Sequence, residues 1–200
     1  MDNAQLSTAI RNNLPATCVK QFLGCLTVDE LADLDIPYKH DPLYIIVNIL
    51  PTSKIEHMGH WVLVYIENRI IHFFDSFAMH PKKYSPYFTR FLQKHKGFDL
   101  WLMEHQLQSA NSHTCGAYVL YFMHVICTKG LHTLKTTLKQ KFKHSSGLQN
   151  DRFILLYVYK YFPWLHYNCR ETFCRNNYKH CIFYLCKNLP SVSITEYIIA

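Results

Sequence analysis

The sequence of 200 residues predicts an α+β fold in which a small mixed β-sheet packs around one buried central helix. Three observations indicate this fold: runs of β-branched and aromatic residues in the middle of the chain, an almost wholly apolar segment at residues 116–127, and amphipathic segments on both sides. Apolar residues make up 49% of the chain and only 6 residues are Gly, which excludes a disordered or collagen-like protein.

The predicted sheet begins with the β-branched run at residues 44–50, which Pro51 stops. Residues 60–66 and 70–75 form two further runs, and the short polar break between them is typical of a β-hairpin. Another strand is predicted at residues 98–103. Because the middle strands are apolar on both faces, we expect both faces of the sheet to be covered.

The central helix is predicted from Gly116–Cys127, which is apolar all round, as in a helix buried on every side. Thr27 and Glu30 have the spacing of a capping box and predict the start of a short helix. Further helices are predicted at residues 84–94, 131–142 and 151–162, with Asn150 as the cap of the last.

The chain is expected to form one domain over residues 1–200. No apolar run reaches the roughly 18 residues of a membrane span. The N-terminal residues lack the basic and apolar regions of a secretory signal. Since the 8 cysteines are also too few for a disulfide scaffold, we expect an intracellular protein that is not secreted and whose thiols are mostly reduced.

Positive charge is concentrated in the C-terminal third of the chain. Residues 129–188 carry eleven Lys and Arg against two acidic residues, whereas residues 1–128 have a net charge of −1. The candidate nucleic-acid contacts are Lys135, Lys139, Lys141 and Lys143. Three of them recur every four residues and would share one face of a helix, where they would bind DNA phosphates. A solvated basic face has the same composition, so both interpretations stay open.

Cys115 directly precedes the apolar helix and is a candidate nucleophile. Unpaired N–H groups and the helix dipole at such a position favour an anion and lower the pKa of a thiol. Gly116 next to it would let a substrate backbone approach closely. A buried structural thiol is also common at the start of an apolar helix, so the position alone does not decide the role of Cys115.

His60 and Asp75 are the candidate base and its orienting carboxylate. The three short turns that the predicted hairpin allows place Asp75 opposite residue 60, 61 or 62, and therefore near His60 in each case. His57 is a competing base, but it precedes the strand. Gln108 lies seven residues before Cys115, where its amide would donate to an oxyanion. By chemistry alone, Gln106 is an equally available amide.

Three motifs lie in a recognisable order and spacing: Gly59-His60-Trp61-Val62, Phe73-Phe74-Asp75-Ser76, and residues 108–116 from Gln108 to Gly116. Together they resemble the signature of adenovirus-protease-like cysteine endopeptidases, which belong to the superfamily of SUMO-processing proteases. Phe22-Leu23-Gly24-Cys25 and the strand at residues 43–50 are also similar. The resemblance covers about residues 20–127, and a basic, Cys-rich extension follows at about 129–190.

The resemblance implies the adenain and ubiquitin-like protease fold, with the catalytic Cys at the N-terminus of the central helix. It implies hydrolysis through a thioester after small residues, usually Gly, without a metal or organic cofactor. The implied catalytic residues are His60, Asp75 and Cys115, with Gln108 in the oxyanion hole and Trp61 and Gly116 lining the substrate cleft.

On this basis, we expect a monomeric viral protease, in the host nucleus or virion, that matures viral precursor proteins and is activated by DNA, a viral peptide or both. One alternative is a protease that deconjugates SUMO or ubiquitin, because the triad and the Gly preference are shared. Another is a DNA-binding virion protein with a protease-like core and no activity.

Two groups of cysteines bear on activation and on metal binding. The resemblance implies an activating peptide linked through a cysteine upstream of the catalytic loop, but this sequence has none between Cys25 and Cys115. A second group lies near the C-terminus, where wide spacings favour reduced, packed thiols over a zinc site. It comprises Cys169, Cys174, His180, Cys181 and Cys186.

Overall fold

A computed structural model describes residues 1–36, 42–54, 59–142, 145–163 and 165. The helices in these ranges are α1 (Asn3–Asn13), α2 (Ala16–Gln21), α3 (Val28–Asp33), α4 (Pro86–Lys94), α5 (Cys115–Lys129), α6 (Leu131–Thr137) and α7 (Gly147–Tyr161). The strands are β1 (Phe22–Thr27), β2 (Leu43–Asn48), β3 (Trp61–Glu67), β4 (Ile70–Phe74) and β5 (Asp99–Leu102).

The five strands form one mixed sheet in the order β1-β2-β3-β4-β5. The two central pairings, β2 with β3 and β3 with β4, are antiparallel, while β1 and β5 join the edges in parallel. The mixed sheet and the surrounding helices confirm the predicted α+β class. β1, which lies at one edge of the sheet, was not predicted as a strand.

Both faces of the sheet are covered, as the apolar strands predict. The side chains of β3 alternate between the two faces: Leu63 and Tyr65 pack in a core with α1, α5 and α7. Val62 and Val64 pack in a second core with residues of α3 and α4. The sheet is therefore the middle layer of three, and the layer with α5 is the larger one.

The turn between β3 and β4 determines which residues lie level in the hairpin. Glu67 pairs with Ile70, so the turn consists of Asn68 and Arg69, with φ angles of 51° and 61°. Positive φ at both central residues is the geometry of a type I′ turn, whose twist suits the hairpin. The register continues to Leu63 opposite Phe74, and one further step places Asp75 level with Val62.

The central helix α5 is buried along nearly its whole length, from Gly116 to Ile126, which confirms the prediction from its apolar composition. It packs between the sheet and the helices α1, α6 and α7. Its first residue, Cys115, is therefore held at one end of a rigid element, level with the ends of β3 and β4 where His60 and Asp75 lie.

Several element boundaries differ from the sequence predictions. The helix α7 begins at Gly147 and its cap is Ser146, so the prediction of Asn150 as cap is wrong. The side chain of Asn150 instead donates to the carbonyl of Leu107. The helix predicted at residues 131–142 is α6 followed by a π-helical turn at Leu138–Phe142. The helices α1 and α2 were not predicted, although Asp2 and Gln5 form a capping box.

A disulfide joins Cys18 of α2 to Cys127 near the end of α5, with the Cα atoms 6.0 Å apart. The expectation of mostly reduced thiols is therefore wrong for this pair. The partners are 109 residues apart in sequence, so the pairing depends on the fold that brings α2 against α5. Among the described residues, Cys25 and Cys115 are free.

Within the described ranges, no helix has the length and apolar composition to cross a membrane. The same ranges contain no group of three or more His, Cys, Asp or Glu that would hold a metal ion. Several residues considered in the sequence lie outside the described residues: His57, Lys143, Cys169, Cys174, His180, Cys181 and Cys186.

Candidate active site

His60 and Asp75 meet at the open end of the β3–β4 hairpin. The backbone carbonyl of His60 accepts from the N–H of Ile49, which anchors His60 beside the end of β2. Its Nε2 lies 2.6 Å from Oδ1 of Asp75, a short distance typical of a charge-assisted hydrogen bond. The two residues are 8% and 1% exposed, so little water competes for this bond.

Asp75 is surrounded by further donors. The backbone N–H groups of Phe77 and Met79 donate to its two carboxylate oxygens at 3.0 and 2.8 Å. The hydroxyl of Tyr84 donates to Oδ2 at 2.7 Å. A φ of 52° at Ala78 turns the chain so that the Met79 N–H faces the carboxylate. These donors hold Asp75 in one orientation and stabilise its charge in a buried place.

Tyr84 is a site residue that sequence reasoning missed. It lies nine residues beyond Asp75, between the turn and α4, and its ring is also near that of His60 at 5.7 Å between centroids. Phe77 packs on His60 more closely, at 4.8 Å. No pattern in the sequence marks either aromatic residue, because only the turn at Ala78 brings them to the imidazole.

Cys115 is the first residue of α5, and its thiol interacts electrostatically with His60. Burial would raise the pKa of the Cys115 thiol, but the interaction with His60 and its charge, with the N–H groups of Trp61 and Gly116, lower it. Burial likewise opposes the charged form of His60, yet its contacts with Asp75 and Cys115 raise the pKa to about 9. The geometry therefore favours a thiolate next to an imidazolium.

The position of this pair explains how the proton would move. Since Nε2 of His60 is bound to Asp75, Nδ1 is the ring nitrogen left to face Cys115. The Cys115 Sγ would attack as the nucleophile, and Nδ1 would carry the proton to a leaving group. Asp75 keeps the ring oriented and stabilises its positive charge during the transfer.

Gln108 is 1% exposed and its amide is held at both atoms. The hydroxyl of Ser76 donates to Oε1 at 2.6 Å, and Nε2 donates to the carbonyl of Ser112 at 2.7 Å. Because a carbonyl oxygen only accepts, the bond to Ser112 identifies the nitrogen end of the amide, which keeps a second N–H to donate to an oxyanion. Ser76 belongs to the motif around Asp75, but the sequence did not predict that it would orient the Gln108 amide.

The alternative amide, Gln106, lies at the surface. Its side chain is exposed and donates to the backbone carbonyl of Gln108 at 2.8 Å. Its amide is therefore directed to the backbone of the loop and is not enclosed in the buried site. Of the two amides that the sequence left open, Gln108 is the buried one, and its role as an oxyanion donor stays a prediction.

Trp61 and Gly116, the predicted cleft residues, both contact Met1. The indole N–H of Trp61 donates to the carbonyl of Met1 at 3.1 Å. A Cβ atom placed on Gly116 would lie 3.0 Å from Cε of Met1, so the side chain of Met1 fills the space above this glycine. Met1 therefore covers both residues that the sequence predicts to line a substrate cleft.

Gly59, the first residue of the His60 motif, is explained by close packing. A Cβ atom at this position would lie only 2.1 Å from Oδ1 of Asn48, a buried side chain whose oxygen accepts from the N–H of Leu50. Only Gly fits between Asn48 and His60 without moving one of them.

The described lysines of the basic segment have partners within the protein. Lys135 lies over the ring of Trp101, 4.3 Å from its centroid, and Lys139 is 3.7 Å from Glu104. Lys141 instead lies over Phe153 of α7 at 4.2 Å. The predicted face of Lys135, Lys139 and Lys143 is not tested, because Lys143 lies outside the described residues. DNA binding through them stays a prediction.

Neither a protein-family model nor a curated protein sequence matches the chain. Solved structures with the same fold do match. One is the effector protein Cdu1 of Chlamydia trachomatis, in a structure bound to ubiquitin. The two chains are 14% identical and superpose with a TM-score of 0.53, over 83% of this chain and 93% of Cdu1. The protein thus has the fold of Cdu1.

Proposed function

We propose that this protein is a cysteine protease that hydrolyses peptide or isopeptide bonds after Gly. The observation that carries the proposal is the buried, hydrogen-bonded His60–Asp75 pair, whose imidazole interacts with the thiol of Cys115 at the start of α5. A neutral thiol in an apolar core would have its pKa raised, as burial does at Cys25, to about 11. The opposite shift at Cys115 is typical of a nucleophile.

The reaction follows from the positions of these groups. The Cys115 thiolate attacks the carbonyl carbon, and the Gln108 amide with the backbone N–H of Cys115 stabilises the oxyanion. His60 gives its Nδ1 proton to the leaving nitrogen, so the amide bond breaks and a thioester remains. Water then attacks the thioester, His60 takes the proton from water, and the carboxylate product leaves with Cys115 restored as a thiolate.

The Gly preference follows from the family resemblance, in which the Trp after the catalytic His walls a cleft too narrow for a side chain. Trp61 takes that position here, and its indole N–H donates to the carbonyl of Met1. The side chain of Met1 lies on Gly116, next to Cys115. A substrate that approaches along Trp61 and Gly116 must therefore displace Met1.

We infer that the substrate is the C-terminal Gly-Gly tail of ubiquitin or a related modifier. The similarity in fold to Cdu1, whose structure contains ubiquitin, supports this choice over viral precursor proteins. Maturation of viral structural proteins is the second candidate, and the ordered motifs around His60, Asp75 and Cys115 favour it. Both candidates use the same chemistry and differ in the protein that presents the Gly.

The test compares two substrates with the same chemistry at the cut. The first is ubiquitin or SUMO with a fluorogenic group on its C-terminal Gly, and the second is an unfolded peptide with an internal Gly-Gly-Ala sequence. Hydrolysis of the modifier at a much higher kcat/KM supports deconjugation, whereas preference for the peptide supports the maturation protease.

Two variants assign the nucleophile in the same assay. Cys115→Ala is expected to abolish hydrolysis and labelling by a Gly-Gly vinyl sulfone. Cys25→Ala removes the other described free thiol and is expected to retain both. Labelling that persists in Cys115→Ala, or no hydrolysis of either substrate by the wild type, would contradict the proposed function.

A further inference from the structure

The loop between the amide and the nucleophile, residues 108–114, is here called the oxyanion loop. It has no regular secondary structure, yet it must hold Gln108 and the first N–H of α5 in a fixed relation. Its described contacts include one buried carboxylate, Asp151 of α7, which is 4% exposed. Asp151 lies beyond the part of the sequence that carries the family resemblance.

Asp151 accepts hydrogen bonds from both ends of this loop. The backbone N–H of Ser109 donates to Oδ2 at 3.2 Å, and the hydroxyl of Thr114 donates to Oδ1 at 3.0 Å. The hydroxyl of Tyr118, one turn into α5, donates to the same Oδ1 at 3.0 Å. One carboxylate thus joins the residue after Gln108, the residue before Cys115 and α5 itself.

The start of α7 is fitted to the same loop. The side chain of Asn150 donates to the carbonyl of Leu107 at 3.0 Å, just before the loop begins. A Cβ atom placed on Gly147 would lie 2.9 Å from both Cα and N of Ser109. Because those atoms are backbone, they cannot swing aside as the end of a flexible side chain would.

We propose that Asp151 is a positioning residue that sets the distance between the Gln108 amide and Cys115. This inference rests on the proposed function and adds that the C-terminal third completes the oxyanion hole. Asp151 has no contact with His60 or Asp75 in the described hydrogen bonds, and those two residues lie just outside the ends of β3 and β4. Its loss therefore disturbs oxyanion binding and leaves the thiolate intact.

The substitution that tests this is Asp151→Asn. It keeps the shape of the side chain but replaces one accepting oxygen with an N–H₂ group, which cannot accept from the donors that now bind Asp151. We expect kcat for a Gly-Gly substrate to fall about 10- to 100-fold, because a displaced oxyanion donor acts only in the transition state, with KM nearly unchanged. Alkylation of Cys115 by iodoacetamide needs the thiolate but no oxyanion hole, and its rate should stay within about twofold of wild type.

A second variant reaches the loop from another direction. Gly147→Ala removes no hydrogen bond and favours the helix by up to about 1 kcal/mol, but its methyl group would push on Ser109. It should lower kcat in the same way, and because the methyl group meets backbone atoms the melting temperature should fall as well, so kcat is compared at a temperature where the variant is folded. Asp99→Asn, on the exposed edge strand β5, is the matched control and should change none of these quantities.

Hydrogen–deuterium exchange tests the positioning without any substrate. In Asp151→Asn, peptides covering residues 108–114 should exchange faster, while peptides from β3 and β4 should be unchanged. Unchanged exchange in the loop overturns the inference, as does an equal fall of kcat and alkylation rate. If the wild type hydrolyses no substrate, the proposed function fails, and the exchange result still decides the role of Asp151 in positioning the loop.

Discussion

At the scale of single residues, the site is built from pairs whose charges stabilise each other. His60 is buried enough that its ordinary state would be neutral, and Cys115 buried enough that its thiol would stay protonated. The attraction between the two opposite charges offsets the cost of burying each of them. Asp75 adds a second anion beside the imidazolium. The reactive form is therefore the ion pair of the Cys115 thiolate and the His60 imidazolium. This pair exists only at pH values between the pKa of Cys115 and the pKa of His60.

The pH profile of kcat/KM should be bell-shaped. As pH falls through the lowered pKa of Cys115, the thiolate is protonated and activity is lost. As pH rises through about 9, His60 loses the proton that the leaving nitrogen needs, and activity falls again. The profile is measured with a fluorogenic Gly-Gly substrate from pH 4 to about 10.5.

The alkylation rate of Cys115 is the control for this profile. As pH rises, the alkylation rate should increase over the same acidic range as kcat/KM. Above pH 9 it should stay high, because the thiolate remains when His60 is neutral. An activity that continues to rise through pH 10 would show that imidazolium does not protonate the leaving group.

Gln108→Ala should lower kcat by about 10²–10³-fold with little change in KM, because the lost donor binds the oxyanion only as it forms. Gln106→Ala is the control, since its exposed amide bonds only the loop backbone, and it should retain activity within about threefold. Equal losses in the two variants would mean that the loop, and not the Gln108 amide, is what matters.

At the scale of elements, the hairpin and α5 act as two rigid supports that meet at their ends. The type I′ turn fixes the register of β3 and β4, and this register determines where Asp75 lies relative to His60. One residue of slip would turn Asp75 to the other face of the sheet. The short segment at Gly59 then connects His60 to the end of β2 through its contact with Asn48.

Gly59→Ala should destabilise the protein by about 1–3 kcal/mol, because its methyl group overlaps the buried side chain of Asn48. The free energy of unfolding in urea measures this, and kcat should fall as His60 is displaced. Gly97→Ala is the control, since its Cβ meets only the end of the exposed Arg69 side chain, and it should change stability by less than about 0.5 kcal/mol. Similar losses in both would point to backbone conformation as the cause.

At the scale of the whole molecule, segments from both the N-terminal and the later described parts of the chain converge on α5. The helix α1 packs against the same core as α7, and Met1 reaches the cleft from the N-terminal side while Asp151 reaches the oxyanion loop from the C-terminal side. The disulfide between Cys18 and Cys127 adds a covalent link from α2 to the far end of α5. The central helix α5 is thus held at both ends.

Reduction of this disulfide should lower the free energy of unfolding by about 2–4 kcal/mol, because the bond closes a long loop in the unfolded chain. Urea unfolding with and without a phosphine reductant measures the change. The double variant with Cys18→Ala and Cys127→Ala should be less stable than the oxidised wild type and insensitive to the reductant. A wild-type transition that the reductant leaves unchanged would contradict the structural role of the bond.

How far the sequence predicts the site depends on whether local order or long-range packing sets the geometry. The hairpin from residue 60 to residue 75 is local, and a short polar turn leaves few registers, so the proximity of His60 and Asp75 followed from sequence alone. Tyr84, Ser76 and Asp151 did not, because each reaches the site through a turn or a packing contact between distant elements.

The sequence by itself determined the α+β class, the buried central helix and the proximity of His60 to Asp75, because periodicity and turn chemistry are local properties. Only the tertiary structure enclosed the Gln108 amide while leaving Gln106 at the surface, joined Cys18 to Cys127, placed Met1 against Trp61 and Gly116 and bound the oxyanion loop to Asp151. These depend on which buried atoms come within hydrogen-bond or bonding distance, and the packing of α1, α2 and α7 around α5 brings them there.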